Sequence, residues 1–243
     1  NRVNIAEMTS SDLDEEAITG GYLLEMDEYY DEVNKFRSAI CNMPVMFKQP
    51  DEETLHPEQF EYVRNYIDLL EELLYADDFA STRSYVSMID ETSFVDWWIV
   101  NELTYNFDVS YPRSSYFNKD RLGVLKAGPV WDFDWMTFTK QTDFCCKNTI
   151  RYGQLFKDPA FVDQVKERWE VLKPEVEEVV PLIEECRNRL SVSEELNAML
   201  WGDISNLEVF NGDENLSHRE ACLLMKNNYQ DRIKWLDGQI RKF

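Results

Sequence analysis

The stretch Phe94-Val-Asp-Trp-Trp-Ile-Val-Asn-Glu-Leu-Thr-Tyr-Asn-Phe107 constrains this chain more than any other. Its apolar residues fall on nearly every side of a helix, and a helix that is apolar all round has to be buried. Burial on all sides needs neighbours on all sides, so the fold must be assembled around a sizeable core. Ser93-x-x-Asp96 reads as a capping box that opens this helix. The helix ends near Asn106-Phe107-Asp108, and Pro112 forces a loop after it. With 243 residues there is room for one large domain or two small ones.

The elements around it alternate in type. Residues 1–20 are polar and acidic and read as a lead-in. Gly20-Gly21 then opens a short strand-like run, Tyr22-Leu-Leu-Glu-Met-Asp27. Met43 to Phe47 is a second apolar run that Pro44 marks as an edge strand. Pro57 suits a helix first turn, and Phe60, Val63, Ile67, Leu70 and Leu74 recur at steps of three and four. Glu58, Glu61, Asp68, Glu71 and Glu72 fall on the wet side of that helix. Ser114 to Asn118 and Gly123 to Lys126 are further strand candidates, the latter running on through Gly128-Pro129 into Val130 to Trp135. From Asp158 onwards the pattern is helical. One stripe holds Phe161, Val165, Trp169 and Leu172 and stops at Pro174; a second holds Val176, Val179, Val180, Ile183 and Leu190. Leu196 to Trp201 and Cys222 to Trp235 form two more, with a turn at Asn211-Gly212-Asp213. The expected class is α+β: short strands followed by a mostly helical C-terminal half, in one domain over 1–243.

Charge excludes some partners. Lys and Arg number 25 against 47 Asp and Glu, a net charge of −22. Generic nucleic-acid binding needs the opposite sign to neutralise phosphate, and so does adhesion to an anionic membrane surface. No apolar run reaches the roughly 18 residues of a membrane span. Hydrophobic residues make up 44% of the chain, so it is not a disordered acidic tail. His56 and His218 are the only histidines, which leaves little for a His-based zinc site or triad. Both read as helix-entry residues. No glycine-rich phosphate loop is present. The five cysteines, 41, 145, 146, 186 and 222, are odd in number and lack Cys-x-x-Cys spacing, so they read as buried or free thiols, with one or two bridges as the alternative.

Chemistry concentrates in two places. In Trp131-Asp132-Phe133-Asp134-Trp135, an extended backbone would put both carboxylates on one face, about 7 Å apart along the chain. Paired hard oxygens among bulky apolar groups suit Mg²⁺ or Ca²⁺; the bland alternative is a strand with a wet face. The loop Asn106-Phe107-Asp108-Val-Ser-Tyr-Pro-Arg-Ser-Ser115 carries an acid, a cation and hydroxyls just after the buried helix. Its alternative is an ordinary helix C-terminus. Glu25 stands alone in an apolar strand and reads as an edge residue, or as an acid beside a nucleotide pocket.

These residues resemble a known family. Gly20-Gly-Tyr-Leu-Leu-Glu-Met-Asp27, the helix and loop from Phe94 to Asp108, Ser115-Tyr-Phe-Asn-Lys-Asp120 and Gly128-Pro-Val-Trp-Asp-Phe-Asp134 are similar to the spore-coat protein H (CotH) kinase-like family. Leu155 to Phe161, Lys166 to Trp169 and Arg232 to Asp237 fit it too, so the likeness runs from Gly20 onwards. It implies a protein-kinase-like fold. A hinge-like strand, central helices and active-site motifs would lie in 21–136, and a helical part in 137–243. Most of an N-terminal lobe would precede Asn1.

The resemblance implies phosphoryl transfer from ATP, with Mg²⁺ or Mn²⁺, to Ser or Thr of a secreted or coat protein, in a bacterial, extracytoplasmic setting. It makes Asp108 the catalytic-loop acid, Asp132 and Asp134 the metal ligands, and Glu25 and Trp131 the nucleotide-binding residues. A kinase loop carries Asn about five residues beyond its acid, for a second metal. Arg113 and Ser114 stand there instead, and Trp135-Met136-Thr137 replace an expected glycine. The alternatives are therefore an inactive kinase-like surface or spore-coat scaffold, or structural Ca²⁺ binding by the same carboxylates.

Overall fold

The computed structural model describes residues 3–149, 151–201 and 216–243. The turn expected at Asn211-Gly212-Asp213 lies outside them. Five strands make one sheet: β1 (Tyr22–Met26), β2 (Lys35–Arg37), β3 (Pro44–Gln49), β4 (Ser115–Lys119) and β5 (Lys126–Ala127). Their order is β2-β3-β1-β4-β5, and all four pairings are antiparallel. The helices are α1 (Pro57–Tyr75), α2 (Phe79–Thr82), α3 (Glu91–Thr104), α4 (Tyr152–Leu155), α5 (Pro159–Trp201) and α6 (His218–Ile240). The result is a small antiparallel sheet with a helical C-terminal half. No helix of the described residues is long and apolar enough to cross a membrane.

The chain forms two compact units. The first comprises Asn1–Trp98, Asp108–Trp131 and Cys146–Gln164 and holds the whole sheet; the second comprises Ile99–Phe107, Asp132–Cys145 and Val165–Phe243. In the first, Tyr22 of β1 stacks on Tyr62 of α1 at 6.1 Å, and Phe47 of β3 stacks on Phe60 at 5.3 Å. Trp97 of α3 lies against Phe117 of β4 and stacks on Tyr152 of α4 at 5.1 Å. Gly20-Gly21 is a steric necessity here. A Cβ on Gly20 would sit 1.9 Å from the carbonyl carbon of Asp120, and Gly21 has φ of +102°. In the second unit Trp169, Leu236 and Ile240 are sealed in the core, and Trp169 Nε1 donates to Asp237 at 2.9 Å.

Several expectations hold. The buried helix is α3, the stripe from Val63 to Leu74 is the inner face of α1, and His56 and Ser217 are the N-caps of α1 and α6. All five cysteines are free.

Others are corrected. The α3 cap is Asp90, which accepts from Ser93 N at 3.1 Å. Pro44 does not make β3 an edge strand: β3 lies between β1 and β2, with proline at its first position, where its missing N–H is tolerated. Glu25 is not at an edge either, because β1 is the central strand. Glu71 is not on the wet side of α1; it is fully buried against Arg151. The strand expected from Gly123 to Trp135 shrinks to Lys126–Ala127. Pro174 does not end a helix, because α5 runs through both Pro174 and Pro181. Each proline costs one ladder bond, and the carbonyls four residues back, on Glu170 and Glu177, are at exposed positions where water can bond them. The apolar residues of the last turns of α5, including Leu196, Met199 and Trp201, are exposed.

Lys119 at the end of β4 is a buried cation with no described carboxylate bonded to it. Its Nζ donates to Thr19 O and lies over the rings of Tyr66, at 5.0 Å, and Tyr62, at 5.5 Å. Burial pulls its pKa down to about 8 from 10.5. Below pH 8 the ammonium is charged in both native and unfolded chains, and the native state bears the full desolvation cost. Between pH 8 and 10.5 the unfolded chain holds more protons, so this residue's contribution to stability rises with pH. A fall from 10.5 to about 8 corresponds to about 3 kcal/mol at most. Denaturant melts of wild type and Lys119→Met should therefore show a stability gap that moves in the wild type's favour by about 2 kcal/mol from pH 7 to pH 10. A gap independent of pH refutes the assignment.

Candidate functional site

Glu25 sits mid-strand in β1, opposite Met46 of β3 and Tyr116 of β4. It is buried, and Lys48 Nζ reaches it at 3.4 Å. Lys48 is also bonded to Glu32. Burial alone would lower the pKa of this lysine, but the two carboxylates outweigh it and hold the group above its ordinary value. The Tyr116 hydroxyl is pushed up first by burial and then by its hydrogen bond to Glu25. Leu23, Lys48, Gln49, Tyr116, Pro129 and Trp131 line a cavity of about 250 Å³. Trp131 packs edge-on against Tyr116 at 5.4 Å, with Nε1 donating to Ser114 O at 3.3 Å. The two residues expected to bind nucleotide thus meet at one place, Trp131 in the wall and Glu25 behind Lys48 and Tyr116. The volume is enough for a flat ring.

Asp108 lies in a 3-10 turn, Phe107–Ser110, after α3. The loop that follows is fastened to the residues just after β1. Asp27 Oδ2 accepts from Ser114 N at 2.9 Å, its Oδ1 accepts from Tyr29 N at 2.8 Å, and Glu28 N donates to Pro112 O at 2.6 Å. Ser114 takes a left-handed φ of 45° there. The side chain of Arg113 bonds Glu28 and lies over the rings of Tyr29, at 5.5 Å, and Tyr111, at 6.0 Å. Asp27, Glu28 and Lys48 were missed from the sequence. Asp27 and Glu28 follow an apolar run as ordinary turn acids would, and Lys48 is one cation in a strand.

The second unit carries Asp132 and Asp134, and not on a strand. The segment is irregular, with left-handed φ at Asp132 (63°), Met136 (53°) and Phe138 (55°). Such angles cost non-glycine residues about 1–3 kcal/mol each and persist only when neighbours over-determine them. Here Phe138 N donates to Thr104 O at 2.6 Å, Asn228 Nδ2 donates to Phe138 O at 2.9 Å, and Thr137 Oγ1 bonds Phe133 O. Phe107 packs edge-on against Trp135 at 6.0 Å. The bent backbone brings the two carboxyls into hydrogen-bond contact. Burial, then that bond, then the neighbouring charge push Asp132 above the usual carboxylate range. This contact is closer than the strand expectation allowed. Asp134, Phe133, Phe138, Cys222, Met225 and Asn228 border a cavity of about 270 Å³. His218, at the start of α6, is 3.5 Å from Cys222 Sγ through Nε2.

Two carboxyls pressed together suit a divalent cation, which would relieve their repulsion. Among the described residues no group of three or more His, Cys, Asp or Glu could hold a metal. Two carboxylates fall short of the six to eight oxygens of a Ca²⁺ cage; a Mg²⁺ ion there would keep waters and take its remaining ligands from phosphate oxygens.

Neither a curated protein nor a solved structure matches the chain. A family model described as CotH kinase protein matches residues 7–242. On a match that covers nearly the whole chain, this protein belongs to the CotH kinase family.

Proposed function

We propose that this chain belongs to an atypical protein kinase of protein-kinase-like fold. It transfers the terminal phosphoryl group of ATP to Ser or Thr hydroxyls of a secreted or coat protein, in an extracytoplasmic setting. The observation that carries the reading is the Asp132–Asp134 pair, held together by a backbone strained at three positions. Asp132 and Asp134 hold Mg²⁺ or Mn²⁺, which neutralises charge on the phosphates when bound. Asp108 orients the acceptor hydroxyl and takes its proton. Trp131 and Tyr116 provide an apolar slot for the purine ring, and Glu25 fixes the Lys48 and Tyr116 walls of that slot. Labelled phosphate transferred from Mg-ATP, and lost in Asp134→Ala, is the expected result. No incorporation by the wild type, or incorporation unchanged in Asp134→Ala, overturns the reading.

The second reading is a kinase-like surface scaffold without activity. It is favoured by Arg113 and Ser114 where a second-metal Asn would stand, and by Met136 near the place of the expected glycine.

A further inference from the structure

We propose that Arg113 is the cation that meets the transferred phosphoryl group, supplying from a side chain the positive charge that a second metal ion supplies in protein kinases. The inference rests on the kinase reading above. Arg113 stands five residues beyond Asp108, in the place of the metal-binding Asn. In a chain with 25 cations against 47 acids, a guanidinium beside the candidate base is out of keeping with its surroundings.

Its geometry is that of an aimed group. Nε and Nη2 both bond Glu28 Oε1, which fixes the plane of the guanidinium. Tyr29 and Tyr111 flank it with their rings, and both are exposed. No described residue bonds Nη1, so that edge is left for an anion, and guanidinium edges match phosphate oxygens. The hydrogen bond to Glu28 holds Arg113 above its ordinary pKa, and the charge of Asp108 contributes. The loop does not need this side chain to stay in place. The Asp27 carboxylate holds Ser114 N, and Glu28 N holds Pro112 O, both on the backbone of the loop.

In the step itself, the acceptor oxygen forms its bond to the terminal phosphorus as the bond from that phosphorus to the bridging oxygen of ATP breaks. The acceptor's proton passes to Asp108, and the bonding pair leaves with ADP. Arg113 exchanges no proton; it neutralises charge on the equatorial oxygens.

The test uses the whole protein, dephosphorylated casein as acceptor, and calorimetry with Mg-ATP, Mg-ADP and adenosine. Arg113→Met should lower kcat at least 100-fold and ATP affinity about 10-fold, leaving adenosine binding within twofold. Arg113→Lys, which keeps the charge and loses the fork, should recover part of the rate and guards against a Met variant that fails to fold. Transfer and ATP affinity within twofold of wild type in both variants overturn the proposal. So does an equal loss of ATP and adenosine binding, which marks a purely structural loop role. If the wild type transfers no phosphate, the kinase reading fails first; if it transfers and Arg113→Met transfers equally, only this inference fails.

Discussion

Arg151→Met should destabilise the sheet-bearing unit by about 3–5 kcal/mol, because it strands a buried carboxylate. Arg151 and Glu71 are both sealed from solvent, with Arg151 Nη2 2.6 Å from Glu71 Oε1. Glu71 Oε2 also accepts from Cys41 N at 2.9 Å and Ile40 N at 3.2 Å, and Arg151 Nη1 reaches Met26 Sδ at 3.4 Å. The pair thus joins α1, the turn between β2 and β3, the end of β1 and the residue before α4. Burial alone would raise the Glu71 pKa; Arg151, then the Cys41 N–H and Ser38, outweigh it and hold the carboxyl below its usual value.

The sign of the pH effect follows. A depressed carboxylate pKa gives stability that is present above the unfolded value, near 4.5, and is lost as pH falls through the folded value. In Arg151→Met the same carboxyl becomes easier to protonate than in the unfolded chain, so the variant's deficit should shrink on acidification from pH 7 to pH 4. At pH 7 calorimetry should show a melting temperature lower by roughly 10 °C, taking about 2–4 °C per kcal/mol for a chain of this size. Adding Glu71→Gln should recover part of the loss, because a buried amide costs far less than an unpaired carboxylate. Equal melting temperatures for wild type and Arg151→Met would contradict this account.

That pair also shows where sequence reading stops. The α1 stripe is legible because apolar spacing is a local signal, and Glu71 looks like one more wet acid by the same local logic. Its burial depends on Arg151, which no period connects to it. The same limit applies to Glu25: its place in a central strand comes from β4, contributed by a segment far along the chain. β2, with three residues, is too short to show a period. For Asp132 and Asp134 the local backbone was not legible. Alternation predicts an extended strand, whereas Asp132 adopts a left-handed conformation that Asp tolerates better than most residues. The proline in α5 misled for a different reason: a helix this long tolerates losing a ladder bond on a face where water replaces it.

Asp134→Ala and Asp108→Asn should both cut phosphoryl transfer by about two orders of magnitude or more, and they should do so differently. Removing Asp134 takes away one of the two carboxylates that would hold the cation in the proposed kinase, leaving Asp132 alone. Metal charge stabilisation is worth several kcal/mol, so transfer should fall by about 10³-fold or more, and the gain in nucleotide affinity on adding Mg²⁺ should disappear with it. The Asp132 pKa should then fall, because the hydrogen bond and the charge of Asp134 are gone, while burial still holds it up. Asp108→Asn keeps the shape of the 3-10 turn and removes only the proton acceptor. General-base loss costs about 10²–10⁴-fold in kcat, with Mg-nucleotide affinity unchanged. The contrast separates the competing readings. An inactive scaffold gives neither effect, because its wild type transfers nothing. A structural Ca²⁺ site gives Ca²⁺ uptake by calorimetry that Asp134→Ala removes, with no nucleotide binding in either protein. Only a kinase in which Asp134 holds metal and Asp108 handles the acceptor proton loses metal-linked nucleotide binding in one variant and retains it in the other.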